Sequence, residues 1–126
     1  MRHFRSELWN INSSFLGRRW IFVPYDQLTD EVGPLAQNDP RALGIVLVES
    51  SSKPKSRAYH KQKLALVLSN QRHFALEQAR RGVAVHYIST QDDYATALRK
   101  VHDTVGTMLL MEPAERALRS ELAPLV

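Results

Sequence analysis

The sequence predicts an α/β fold: an open parallel sheet of about four strands with helices packed on its faces, and three observations carry it. Between 60 and 81, Leu64, Val67, Leu68, Ala75 and Ala79 line up at helical spacing, while Lys61, Gln62, Asn70, His73, Glu77 and Arg81 take the other side. That pattern predicts a long helix with one buried face. A β-rich run stands on each side of it, IVLVES at 45–50 and VAVHYI at 83–88. Strand, helix, strand at this spacing is a βαβ unit, which requires parallel strands. Two further runs, WIFVPY at 20–25 and TMLLME at 107–112, extend the alternation in both directions.

In chain order, residues 1–19 form an N-terminal extension without a clean period. Two readings stand level for it, an irregular extension and a short docked helix near 4–9. The first strand, 20–25, is apolar on both faces, as a strand covered on two sides should be. Pro24 cannot donate to a ladder and belongs at its end. Residues 29–43, with Gly33, Pro34, Asn38, Asp39 and Pro40, make a long loop with room for one helical turn. The second strand covers 44–49. The main helix stops at Arg80-Arg81-Gly82, cations in the last turn followed by glycine. After the third strand, Ser89, Thr90 or Asp92 is the expected cap of a second helix that runs to about 105 with Tyr94, Ala97, Leu98 and Val101 on one face. Gly106 ends it. Pro113 opens a third helix after the last strand.

Right-handed crossovers lay these strands out as 3-2-1-4, a Rossmann-like arrangement over residues 20–126. The direction of winding reverses beside the first strand. Open sheets of this kind bind ligands outside the carboxyl ends of their strands at that reversal. The residues placed there are Asp26, Gln27 and Glu112, with Glu49 at the end of the second strand. His60, at the start of the main helix, stands where a helix N-terminus favours an anion. A doubly wound sheet usually continues beyond its fourth strand, so the chain is expected to be the front portion of a longer protein.

The 126 residues suffice for one domain, and 44% apolar content suffices for a core. There is no cysteine, which removes disulfides and thiolate-held clusters and fits a reducing, cytoplasmic location. No apolar run is long enough to span a membrane. The charge of +4 permits weak attraction to nucleic acid, most of it expected from Lys53, Lys55, Arg57, Lys61 and Lys63. The sequence has no glycine-rich dinucleotide fingerprint, no phosphate loop and no nucleophile elbow. His3, His60, His73, His86 and His102 lack metal-ligand spacing, and His86 and His102 read as packing or surface residues.

One set of residues carries a resemblance. HKQKLALVLSNQRHF at 60–74, followed by GVAVHYI at 82–88, is similar to the deoxyribodipyrimidine photolyase-related proteins of the photolyase/cryptochrome superfamily, including its bacterial iron–sulfur branch. Asp26-Gln27-Leu28 after the first strand, Glu49 ending the second, and Glu112-Pro113 with Glu115 and Arg116 after the fourth fall in the family's order. Tyr25 departs from it, standing where the family has glycine, and so does the Ser-Ser-Ser-Lys-Pro-Lys loop after Glu49. The resemblance implies an N-terminal α/β domain whose pocket takes an antenna pigment, 6,7-dimethyl-8-ribityllumazine in iron–sulfur members, with Asp26, Gln27, Glu49, His60 and Glu112 as the binding residues. It implies FAD and a 4Fe-4S cluster only in a C-terminal helical flavin domain, the expected partner of this one. DNA would be a partner of the full-length parent, a lyase, and this piece alone is expected to catalyse nothing. Two rival readings stand beside it. One is a structural docking module with a vestigial pocket, Arg72 and His73 helping to seat the helical domain. The other is a free-standing nucleotide-binding or signalling domain.

Overall fold

The structure is a computed structural model that describes residues 2–31, 33–50 and 58–111. Its elements in order are helix α1 (Arg2–Ile11), strand β1 (Arg19–Phe22), helix α2 (Pro34–Gln37), a 3-10 turn (Pro40–Ala42), strand β2 (Leu43–Ser50), helix α3 (Ala58–Arg81), strand β3 (Ala84–Thr90), helix α4 (Tyr94–Val105) and strand β4 (Met108–Leu110). The sheet order is β3-β2-β1-β4 and each pairing is parallel, as the alternation of runs requires.

Side chains alternate across the sheet and divide the core in two. Ile21, Val23, Ile45, Leu47, Val85 and Tyr87 face α1 and α3, where Phe4, Leu8, Phe74, Ala75 and Ala79 cover them. Trp20, Phe22, Val46, Val48 and Ala84 face α4, which contributes Ala97, Leu98 and Val101. Both faces of β2 are therefore closed, and its run reads as continuously apolar because a central parallel strand has no solvent side.

In the N-terminal extension the structure takes the docked helix, longer than 4–9, over the irregular reading. Phe4, Leu8 and Ile11 recur at helical spacing and lodge in the core, so residues 2–11 are helical. Asn12 then pairs with the edge of β3: Nδ2 donates to the Val85 carbonyl at 2.7 Å and Oδ1 accepts from the Val85 amide at 2.8 Å. Strand β1 is shorter than 20–25, because its ladder ends with the Val23 amide on Val46 and Pro24 then opens a turn to Gln27. Strand β3 runs on to Thr90, so the cap of α4 is Asp93, whose Oδ1 accepts from the Thr96 amide at 2.8 Å, in place of Ser89, Thr90 or Asp92.

The stops hold where glycine was expected. Gly82 takes φ 101°, its amide bonds to Ala79 and the Val83 amide to Gln78, which is the Schellman closure of α3. At the amino ends of the strands, Arg18 gathers three crossings. Its Nη1 lies 2.7 Å from the Gly82 carbonyl, 3.1 Å from Leu43 and 3.3 Å from Pro40. The third helix expected from Pro113 lies outside the described residues.

Across β1, β2 and β3, Trp20, Gly44 and Ala84 form one row. A Cβ at Gly44 would lie 2.7 Å from Trp20 Cε3 and Cζ3, so the indole lies over the bare backbone of β2. The indole also meets Phe15 edge-on, with centroids 5.0 Å apart, and Phe15 in turn stands 5.4 Å from the His86 ring. Burial holds His86 below its ordinary pKa of 6.5, and its Nδ1 has no hydrogen-bond partner among the described residues. Neutral imidazole is the form that folds. Its contribution is full above about pH 6.5 and is lost as pH falls from there toward the depressed folded value. Chemical denaturation at pH 7 and pH 5 should show this part of the acid destabilisation missing from His86→Leu. An equal loss in both proteins would remove His86 as its source.

Candidate rim site

The carboxyl ends of the aligned strands form one rim, and the expected site residues divide along it. Glu49, next to last in β2, faces the α1/α3 side and is only 7% exposed. A bare carboxylate could not sit there; its hydrogen-bond partners come from α3 and β3, and Arg5 of α1 adds its charge. Arg72 of α3 grips it with two bonds, Nε to Oε2 at 2.7 Å and Nη2 to Oε1 at 2.9 Å. The Tyr87 hydroxyl of β3 donates to Oε2, and Ser89 Oγ stands 3.5 Å from Oε1. Gln71, also buried, donates to the Val48 carbonyl at 3.0 Å and reaches the Tyr87 hydroxyl at 3.4 Å. From α1, Arg5 adds bonds to the Tyr87 carbonyl at 3.0 Å and Ser89 Oγ at 2.7 Å. Phe4 meets the Tyr87 ring edge-on at 4.6 Å between centroids, and the Arg72 guanidinium lies over the Phe4 ring.

The electrostatics follow from this packing. Burial pushes the Glu49 carboxyl upward, but the bonds from Arg72 and Tyr87 and the charges of Arg72 and Arg5 outweigh it, leaving the group below 4.5. Burial first, and then the bond to Glu49, push the Tyr87 phenol well above its ordinary value, so it stays a donor. One carboxylate thus joins β2, α3 and β3, and Arg5 ties α1 to the same cluster through Tyr87 and Ser89.

Asp26 and Gln27 lie in the turn that follows β1, and both are partly buried. They share the rim with Glu49, because β1 and β2 are neighbours in register. Tyr25, the residue before them, packs into the α4-side core with its ring 6.2 Å from that of Tyr94. Ser50 Oγ closes the same region by donating to the Asp92 carbonyl at 2.5 Å. His60 falls within the first turn of α3, and its side chain lies outside the described residues, as does Glu112. The basic loop through Lys53, Lys55 and Arg57 also lies outside them. A cavity of about 560 Å3 sits elsewhere, between α4 and β4, lined by Leu98, Arg99, His102, Thr107, Met108 and Leu110.

Sequence reasoning placed Glu49 and Arg72 but not the bond between them, nor the parts played by Arg5, Gln71 and Tyr87. One signal was available. The apolar stripe of α3 jumps from Leu68 to Ala75, and a position in that gap must still face the sheet; Gln71 fills it, with Gln78 one repeat later. Gln78 is satisfied by Asp30 at 2.8 Å and Arg81 at 2.6 Å. Among the described residues no group of three His, Asp or Glu side chains is placed to hold a metal ion, and no helix is long and apolar enough to cross a membrane.

The family model for deoxyribodipyrimidine photo-lyase-related proteins matches residues 21–126. A (6-4) photolyase of Agrobacterium fabrum is 33% identical over 109 residues, which is 81% of this chain and 22% of that relative. The chain therefore spans about a fifth of that photolyase's length. With its parallel 3-2-1-4 sheet and a family match from β1 onward, the chain belongs to the deoxyribodipyrimidine photo-lyase-related proteins.

Proposed function

We propose that this chain is the N-terminal α/β domain of a photolyase-like flavoprotein, one that serves light-dependent DNA repair or light sensing, and that its rim holds an antenna pigment. The observation that carries this reading is the family match across residues 21–126, laid on a sheet whose winding reverses beside β1. The flavin and any iron–sulfur cluster would belong to a helical partner domain of the parent protein, and so would the chemistry on DNA.

Lumazine fits the described residues in part. Its ring N–H and ribityl hydroxyls need acceptors on a wall that excludes water. Glu49 does not fit that role, since Arg72 and Tyr87 already take its two oxygens. This reading assigns the polar contacts to Asp26 and Gln27, in the turn after β1, and gives Glu49 the part of bracing the rim beside them. When bound, the pigment would supply absorption and energy transfer, not a chemical step.

Adding 6,7-dimethyl-8-ribityllumazine to the purified chain should shift its absorption and quench its fluorescence, and Asp26→Ala should weaken both changes. Unchanged spectra at saturating protein would defeat the antenna reading while leaving family and fold intact. The docking-module reading is then favoured by a separate observation: Leu66 is 63% exposed on the same helix that carries the Arg72 clamp.

A further inference from the structure

The cavity of about 560 Å3 between α4 and β4 takes no part in the rim. It lies at the flank of the sheet opposite β3, where β4 is the end strand and, among the described residues, pairs with β1 alone. Its volume falls in the range of sites that enclose a small organic ligand. Leu98 is 1% exposed, and with Met108 and Leu110, which pack against the α4-side core, it gives the cavity an apolar floor.

The polar groups around that floor come from one flank of α4. His102 and Asp103 stand three and four positions after Arg99, one helical turn on, so all three share a side. Gly106, at φ 81°, turns the chain back, its amide on the His102 carbonyl at 2.8 Å, and Thr107 enters the lining from the strand side. Arg99 and Asp103 are a cation and an acid at the spacing where such residues usually pair. No ion pair joins them; on this helix it is Lys100 that pairs, with Asp92. Among the described residues the side chains of Arg99, His102 and Asp103 make no hydrogen bond either. Their full bonding capacity is therefore turned to the cavity and to water. The strand adds backbone groups. Met111 donates its amide to the Phe22 carbonyl at 3.2 Å, so alternation turns the peptide groups of Met108 and Leu110 away from β1, to the open edge. Donors and acceptors side by side in one plane are what the edge of a nucleobase can pair with.

We propose that this cavity binds a nucleoside monophosphate, with the base on Leu98, Met108 and Leu110, the phosphate on Arg99 and His102, and the ribose hydroxyls on Asp103. A guanidinium fork matches the oxygens of a phosphate. A carboxylate accepts from ribose hydroxyls, as it does in dinucleotide sites. Around the helix Asp103 lies on the opposite side of Arg99 from His102, which keeps the acid away from the phosphate end. Side chains here take the part that backbone amides take in a glycine-rich loop, so the site needs no phosphate-loop motif. The proposal does not depend on the antenna reading, whose residues, Asp26 and Gln27, lie in the turn after β1.

The test titrates the full 126-residue chain, labelled with nitrogen-15, with AMP, 2′-deoxy-AMP, adenosine and inorganic phosphate, and follows the amide signals of Arg99, His102, Met108 and Leu110. AMP should shift them saturably and bind at least about tenfold more tightly than adenosine or phosphate alone, the worth of one charge-assisted contact. Arg99→Ala should bring AMP down to the affinity of adenosine and leave adenosine unchanged. Asp103→Ala should erase the preference for AMP over 2′-deoxy-AMP. Both side chains are exposed, so thermal unfolding of the two variants should match wild type. Absence of a saturable shift with AMP would overturn the site, and so would shifts confined to Asp26 and Gln27. Phosphate binding as tightly as AMP would overturn the nucleotide and leave an anion site only. Wild-type affinity for AMP in Arg99→Ala, or an equal loss of AMP and adenosine, would overturn the phosphate contact.

Discussion

Arg72→Ala should destabilise the domain by about 3 kcal/mol, at the lower end of the cost of orphaning a buried charge. The lower end applies because the guanidinium keeps 28% side-chain exposure whereas Glu49 keeps 8%. For a domain of this size the melting temperature should fall by roughly 12 °C. Removing both partners together, Glu49→Leu with Arg72→Leu, should cost far less than Arg72→Ala alone, because no charge is then left desolvated. Glu49 has a folded pKa below its unfolded value, so its contribution is present above about pH 4.5 and disappears as pH falls through the folded value. The stability gap between wild type and Glu49→Gln should therefore be level near neutrality and close in acid. In Arg72→Ala the carboxyl loses its strongest partner and its pKa rises, so part of the deficit should be recovered on mild acidification. Urea denaturation of the four proteins across that range checks all of these at once. A gap that does not change with pH would show that Glu49 is not the titrating group.

The second large effect is expected at the Trp20–Gly44 row. Trp20 is 5% exposed, and Trp20→Ala should cost about 3–5 kcal/mol through lost burial and the cavity it leaves. Gly44→Ala should cost about 1–3 kcal/mol for the opposite reason, because the new methyl falls within 2.7 Å of the indole. The two should not add. In a Trp20→Ala background the Gly44 methyl fills vacated space, so its cost should shrink toward zero or change sign. A double-mutant cycle read by thermal unfolding would expose additivity, which would mean that the indole does not lie over Gly44.

The sequence resolves the sheet well because parallel strands with two covered faces write themselves as unbroken apolar runs, and because Gly82 and Gly106 mark helix ends by local chemistry alone. Order 3-2-1-4 follows from handedness once the runs are placed. Helix α1 was harder. Phe4, Leu8 and Ile11 carry its period, but Trp9 is 85% exposed and interrupts it, and the partner that fixes its end, Val85, is 73 positions away from Asn12. The rim was legible as a location, since it depends only on strand direction. The state of its residues was not: whether Glu49 is an acceptor for a ligand or a brace depends on Arg72, Tyr87 and Arg5, which reach it from other elements. Propensity and spacing describe one segment at a time, and this carboxylate is bonded across three elements and charged by a fourth.

Arg18 has a consequence of its own. One guanidinium holds carbonyls that precede or open β2 and β3 while sitting next to the first residue of β1. Three strand beginnings far apart along the chain therefore share one fate. None can fray without surrendering bonds that also secure the other two, so this end of the sheet should open as a single cooperative unit rather than strand by strand.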